Sequence, residues 1–354
     1  MKTVQLMAGT RKGAFLFTSD LRRKNWKLSG HFQPGNEVNH FAYDPRAGRH
    51  WLAVTSWFFG SRLEWSGNAG KKWHVPKTSP KCTTKDMTLK RLWTVAFGDG
   101  ALWCGGDPGV LFRSDDGGNK WYEITSLTKH RTRKKWQPGA GGMCTHSILP
   151  DPFHPKRMYV GISAAGVFRS DDGGKSWEPL NKNTRADFMP NKFPEVGQCV
   201  HHLAMSRTKP DWLFQQNHCG VYRSTNAAEK WDDISKGLPS RFGFPMIVHP
   251  HEKETVYVVP ENGAERRYVC DAKLTVYRSH NDGKSWQKLT RGLPQKNCYA
   301  QVLRQASAAD MCDDPGLYLG TNTGEIFFSR NGGDSWELIQ QHLPPILSLE
   351  AHAG

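Results

Sequence analysis

Three histidines far apart in the chain could do chemistry together. His146, His201 and His218 each have a cysteine within two residues, at Cys144, Cys199 and Cys219. Gathered at one wet opening, such imidazoles would hold zinc, copper, iron or manganese, with softer thiolate ligation in reach. They would equally serve as general acids and bases. The competing reading gives the rings hydrogen bonds to water and backbone, with no metal. No contiguous His-x-x-x-His spacing occurs among them, so any joint role depends on the fold.

A second group could handle a substrate. Glu261, in Val259-Pro-Glu-Asn-Gly263, is the candidate catalytic acid, with Glu195 or Asp107 as a partner. Glycoside hydrolysis needs two carboxylates ~5–9.5 Å apart, one of them protonated; a solvated loop acid is the alternative for each. Arg11, Lys12, Arg266, Arg267 and Arg304 could grip an anionic substrate, since guanidinium holds carboxylate through two parallel bonds. For Arg304 the alternative is an ion pair with Asp310 or Glu325. Overlaying internal turns adds more polar candidates. Asp44-Pro45 laid on Asp151-Pro152 puts Asn39 at the His146 position and His40 beside Ser147. Pro155 laid on Pro210 puts His201 at that position too, with His202 next to it.

What must position these residues is a repeat. Ser-Asp-Asp-Gly-Gly-x-x-Trp occurs at Ser114–Trp121 and Ser170–Trp177, and weaker copies occur five more times, the first keeping only Ser19 and Trp26. The closing tryptophans are Trp26, Trp73, Trp121, Trp177, Trp231, Trp286 and Trp336, spaced 47 to 56 residues apart. A period of that length means stacked equivalent units within one domain spanning 1–354. Each unit offers four strand-like runs, A to D. The clearest are Met143–Leu149, Arg157–Ile162, Gly166–Ser170 and Trp177–Leu180. Four antiparallel strands repeated radially make a β-propeller. The first unit begins at its B strand, Val4–Ala8, and a lone strand over Leu343–Glu350 is left at the other end. Pairing the two closes the ring and leaves no bare edge. An all-β, seven-bladed propeller follows.

At these motifs the chain resembles the BNR or Asp-box repeat proteins, which include sialidases, some β-glucan hydrolases and the sortilin ectodomain. The resemblance covers all seven units. It is closest to bacterial cytosolic Asp-box proteins called glycosyl hydrolase or sialidase-like, through Ala8-Gly-Thr-Arg-Lys-Gly13, Gln215-Gln-Asn-His-Cys-Gly220 and Phe242-Gly-Phe-Pro245. The family's Asp box is structural, and the chemistry agrees. Asp116 or Asp172 caps its own turn, Gly118 or Gly174 permits positive φ, and the tryptophan packs between blades. Sialidases carry Phe/Tyr-Arg-Ile-Pro before the first box and a Tyr/Glu nucleophile pair. This chain has neither, so their mechanism is not carried over.

Strand order puts the A–B and C–D turns on one face and the B–C and D–A loops on the other. The long, irregular connections all fall on the second face: 74–90, 122–142, 178–199 and 260–273. Function is expected there, at the mouth of the central channel. A net charge of +15 favours anionic partners. The basic run at 129–135 is followed by Trp136 alone, too little stacking surface for nucleic acid. No ~20-residue apolar run or signal peptide is present and the cysteines are scattered, so a cytoplasmic location and no membrane span are expected. The leading expectation is a hydrolase or lyase acting on a small anionic or carbohydrate-like ligand. The alternative is a non-catalytic propeller that binds a peptide, a protein or another acidic partner.

Overall fold

The structure is a computed structural model and describes residues 2–139 and 141–354. Its strands form seven separate antiparallel sheets arranged as blades. Blade 4 shows the unit plainly, with strands at Thr145–Pro150, Met158–Ile162, Gly166–Ser170 and Glu178–Pro179. The outermost strand here is only two residues long and begins directly after the tryptophan.

The turn itself explains the motif. In blade 4, Ser170 Oγ accepts the Gly174 N–H at 2.8 Å and donates to Asp172 Oδ1 at 2.8 Å. Asp172 Oδ1 then accepts the Lys175 and Ser176 N–H groups, both at 2.9 Å. Gly174 has φ +89°, so a side chain there would be strained. The closing indole faces the neighbouring unit. Trp231 Nε1 donates to Leu180 O, and Trp286 Nε1 to Ile234 O, each at 2.9 Å. These two boxes thereby fasten blades 5 and 6 to the blade before each, whereas Trp121 Nε1 donates to Gly118 O of its own turn at 2.9 Å.

Ring closure joins the two ends of the sequence. Ile346–Ala353 pairs with Thr3–Thr10 as the innermost strand of blade 1, with Val4 opposite Ala353 and Ala8 opposite Leu349. On the far side of this seam Arg23 makes a buried ion pair with Asp310 at 2.9 Å. Asp310 also accepts from Tyr318 Oη at 2.7 Å and Gly316 N at 3.0 Å. Blade 2 is the irregular one. It has three strands, Glu37–Asp44, Arg49–Ser56 and Gly60–Ser66, and its outer edge is a single bridge between Trp65 and His74. Pro76 follows two residues later and has no N–H with which to extend a ladder.

The apolar core is divided among the spaces between blades. Trp51, Trp103 and Trp231 are fully buried there, with Phe41, Phe112, Phe168 and Phe214. Among the described residues no helix is long and apolar enough to cross a membrane.

Candidate functional site

The mouth is built by a repeated irregularity in the inner strands. In blades 2 to 5 the A–B register slips between Val38 and His40, Leu92 and Thr94, Thr145 and Ser147, and Val200 and His202. The skipped residues are Asn39, Trp93, His146 and His201. In blade 6 the slip falls between Gly243 and Met246, at Phe244. A bulge leaves one residue outside the ladder and re-aims its side chain. Asn39, His146 and His201 therefore occupy equivalent places, as the overlay of turns expects, and Trp93 and Phe244 share them.

Several of these polar groups fasten one blade to the next. Ser147 Oγ lies 2.9 Å from His146 Nδ1 and accepts the Leu203 N–H at 3.2 Å, while His146 Nε2–H donates to Val200 O at 2.9 Å. Both ring nitrogens are thus occupied. Burial first, and then the Arg304 charge, hold this imidazole well below the ordinary histidine pKa. Asn39 donates to Thr55 Oγ1 at 3.2 Å. His40 Nδ1 accepts the Val95 N–H at 3.2 Å, and its Nε2 meets Glu350 at 3.1 Å. His202 Nδ1 bonds the Arg304 carbonyl, and burial lowers its pKa to about 4.

Arg304 stands apart from the other cations. It precedes the short A strand of blade 7, Ser307–Ala309, and this segment reaches across the axis. Arg304 Nη1 lies 3.2 Å from Cys144 Sγ and 3.4 Å from Ser163 Oγ, both in blade 4. Gln305 Nε2 donates to His146 O at 3.1 Å. The guanidinium sits 5.5 Å from the Trp93 ring and 5.7 Å from the Phe244 ring. Among the described residues no carboxylate lies within ion-pair distance of it. The two acids considered as its partners are engaged elsewhere: Asp310 with Arg23, and Glu325 with Thr321 and Thr323.

The histidines divide into two groups. His201 and His218 are neighbours, with ring centroids 5.5 Å apart, and His201 stacks on Phe244 at 4.3 Å. His218 packs edge-on against Phe188 and Phe242, each at 5.1 Å. Cys199 joins this pair, and the potential ligand atoms of Cys199, His201 and His218 lie within 4.8 Å of one another. His146 is outside the group. The structure thus places a thiol where the sequence suggested a third imidazole.

The acids do not form an evident catalytic pair. Glu261 is fully buried at the end of strand Val256–Pro260, and Gln301 Nε2 donates to its Oε2 at 2.9 Å while Oε1 has no partner. Burial pushes its pKa up to about 8, although Gln301 and Arg267 pull it the other way. Asp107 ends strand Ala101–Asp107 in blade 3, and burial raises its pKa against the charges of Lys90 and Arg91. Glu195 is a loop acid paired with Arg131 and Lys135. Arg11 and Lys12 form the exposed B–C turn of blade 1, and Arg266 is exposed in the blade 6 insertion. Arg267, beside it, is the cation whose charge reaches His201, His218 and Glu261.

Sequence reasoning missed the aromatic walls Trp93 and Phe244. The same overlay extended to blades 3 and 6 would have found them. It also missed Trp57, Phe58 and Phe59 in the B–C turn of blade 2, which are 98%, 91% and 81% exposed on the mouth face. A cleft of about 690 Å³ between blades 6 and 7, lined by Leu293, Tyr299, Thr321 and Thr323, contains none of the predicted site residues.

The BNR/Asp-box repeat model matches residues 168–179, the turn and flanking strands of blade 4. A probable oligoxyloglucan-reducing end-specific xyloglucanase of Neosartorya fischeri is 24% identical over 233 residues, covering 57% of this chain and 27% of that protein. An ancestral GH74 enzyme superposes with a TM-score of 0.60 at 17% identity, covering 86% of this chain and 38% of the enzyme. YCF48 bound to D1 peptide superposes with a TM-score of 0.56 at 15% identity, covering 85% and 80% of the two chains. The chain therefore spans less than half the length of the xyloglucanase and of the GH74 enzyme. At such identities the structural likenesses establish the fold alone. Repeat, register and ring closure together make this chain a seven-bladed β-propeller, whose blade 4 turn matches the BNR/Asp-box repeat model.

Proposed function

We propose that this propeller binds a small acidic, carbohydrate-like ligand at the mouth of its axis, with Arg304 taking the ligand's carboxylate. One observation carries the reading: a half-buried guanidinium faced by a thiol, a hydroxyl and two aromatic rings, with no acid of its own. A charge held away from water is costly unless paired, and an incoming carboxylate would supply the missing partner. Trp93 and Phe244 fix the guanidinium through their ring faces. The chain's excess of positive charge would draw such ligands in.

Calorimetric titration tests this with glucuronate against glucose, using the parent chain and Arg304→Gln. The reading expects the acid to bind, glucose to bind at least ~10-fold more weakly, and the variant to lose the distinction. Equal affinity for acid and neutral sugar, or discrimination that survives in the variant, would reject it.

A hydrolase acting at the same mouth is the second reading. It is supported by the burial that pushes the Glu261 pKa up to about 8 and by the name of the xyloglucanase relative. Glu261 would be the general acid, and it would need a second carboxylate at ~5–9.5 Å. Release of reducing sugar from glycosides, abolished in Glu261→Gln, is the result that would favour hydrolysis over binding alone.

A further inference from the structure

Cys199, His201 and His218 come from two adjoining pieces of blade 5. Cys199 and His201 flank Val200 at the start of strand Val200–Met205, so they project to the same side. The bulge at His201 turns its ring out of the ladder. His218 lies in the turn between Leu213–Asn217 and Gly220–Ser224, and its backbone N–H bonds Cys199 O at 2.9 Å. That bond pins the turn against the strand entrance. The pair is therefore held by main chain as well as by side-chain packing.

The ring of His201 is set up as a ligand. Its Nδ1–H donates to Gly243 O at 2.6 Å, which leaves Nε2 unprotonated with its lone pair free. Metal-bound histidines characteristically donate their other N–H to a carbonyl or carboxylate in this way. His218 has no side-chain hydrogen bond among the described residues. Its ring is wedged between Phe188 and Phe242, which fixes it without occupying a nitrogen. The Cys199 thiol has only a 3.9 Å contact with Ser163 Oγ. Three donor groups within 4.8 Å thus lack other strong commitments at their free atoms.

We propose that Cys199, His201 and His218 bind one zinc ion, with a fourth position open toward the channel mouth. One thiolate and two imidazoles match zinc's preference for sulfur and nitrogen donors. Three protein ligands with a free fourth position are the pattern of a reactive zinc. Zn–N and Zn–S bonds of about 2.0–2.3 Å require donor separations of roughly 3.3–3.7 Å, so donors bounded by 4.8 Å close by no more than about 1.5 Å on binding. The Cys199 thiol is half-buried and has no close hydrogen bond, so it makes most of that adjustment. Arg304 and Arg267 oppose a bare dication; the thiolate and the nearby Asp187 carboxylate offset them. The site does not depend on Arg304 receiving a ligand.

The test is titration of the purified, metal-stripped full chain with Zn²⁺ against a chromophoric chelator, and separately with Co²⁺ followed by absorption. The expected result is one equivalent bound, with a thiolate-to-cobalt charge-transfer band. Cys199→Ser should remove the band, and His218→Ala should weaken zinc by at least ~10-fold. His154→Ala and Cys82→Ala, outside both proposed sites, should leave both unchanged, and circular dichroism verifies that each variant is folded. Absence of stoichiometric binding in the parent chain overturns the proposal. So does a band that persists in Cys199→Ser or disappears in Cys219→Ser. Should Cys199→Ser not fold, loss of zinc in a folded His218→Ala alone supports the site, and its retention there rejects it.

Discussion

Replacing Glu261 by Gln should change how stability depends on pH, and the structure fixes the sign. The carboxyl is fully buried, with a single hydrogen bond from Gln301, and burial raises its pKa from an ordinary 4.5 to about 8. Between those values the unfolded chain has released this proton while the folded chain keeps it. Stability then falls as pH rises, by about 1.4 kcal/mol per unit, and levels off above about pH 8. From about pH 5 to about pH 8 the loss attributable to this one group is about 4 kcal/mol. Glutamine mimics the neutral acid and cannot ionise. Glu261→Gln should match the parent near pH 5 and exceed it by about 4 kcal/mol at pH 8.5. Urea unfolding of both proteins at half-unit pH steps measures the difference curve, in which all other titrations cancel. Parallel curves for the two proteins would show instead that the folded chain does not retain this proton.

Other consequences are read at different places. Below about pH 6.5 the unfolded chain protonates His146 while the fold keeps it neutral, so stability is lost as pH falls from there; His146→Gln should flatten this acid limb in the same unfolding series. Ser170→Ala removes the acceptor of the buried Gly174 N–H and should cost about 1–3 kcal/mol by thermal or urea unfolding. Asp310→Asn strips the buried Arg23 of its counter-charge at the ring seam and should cost about 3–5 kcal/mol. A cost below about 1 kcal/mol would show that this pair does not secure the seam.

The architecture was legible because its signals repeat. A serine, a short acid or amide, a glycine and a tryptophan recur at each blade edge, and each makes the local bonds its type suggests. The closing strand was expected at Leu343–Glu350 and lies at Ile346–Ala353, displaced by three residues at each end. Pro344 and Pro345 account for the later start, since neither has an N–H for the ladder. The site was legible only where blades could be compared. That comparison found Asn39, His146 and His201 at one equivalent position, but it cannot say which ring nitrogens the neighbouring blade takes. His146 is saturated by its neighbour Ser147 and by Val200 of the next blade, and the second of these is invisible to spacing. Arg304 could be flagged as a charge in an odd place, yet only the structure shows that both acids considered for it, Asp310 and Glu325, are engaged elsewhere.

On the proposed reading, Arg304 presents its unpaired charge to a ligand carboxylate at the axial mouth. A crystal structure of the protein grown with glucuronate tests it directly. The prediction is a ligand carboxylate within hydrogen-bond distance of the Arg304 guanidinium, which stays against Trp93 and Phe244. Ligand bound only at the outer rim, or an acidic side chain of the protein itself closing on Arg304, would contradict it.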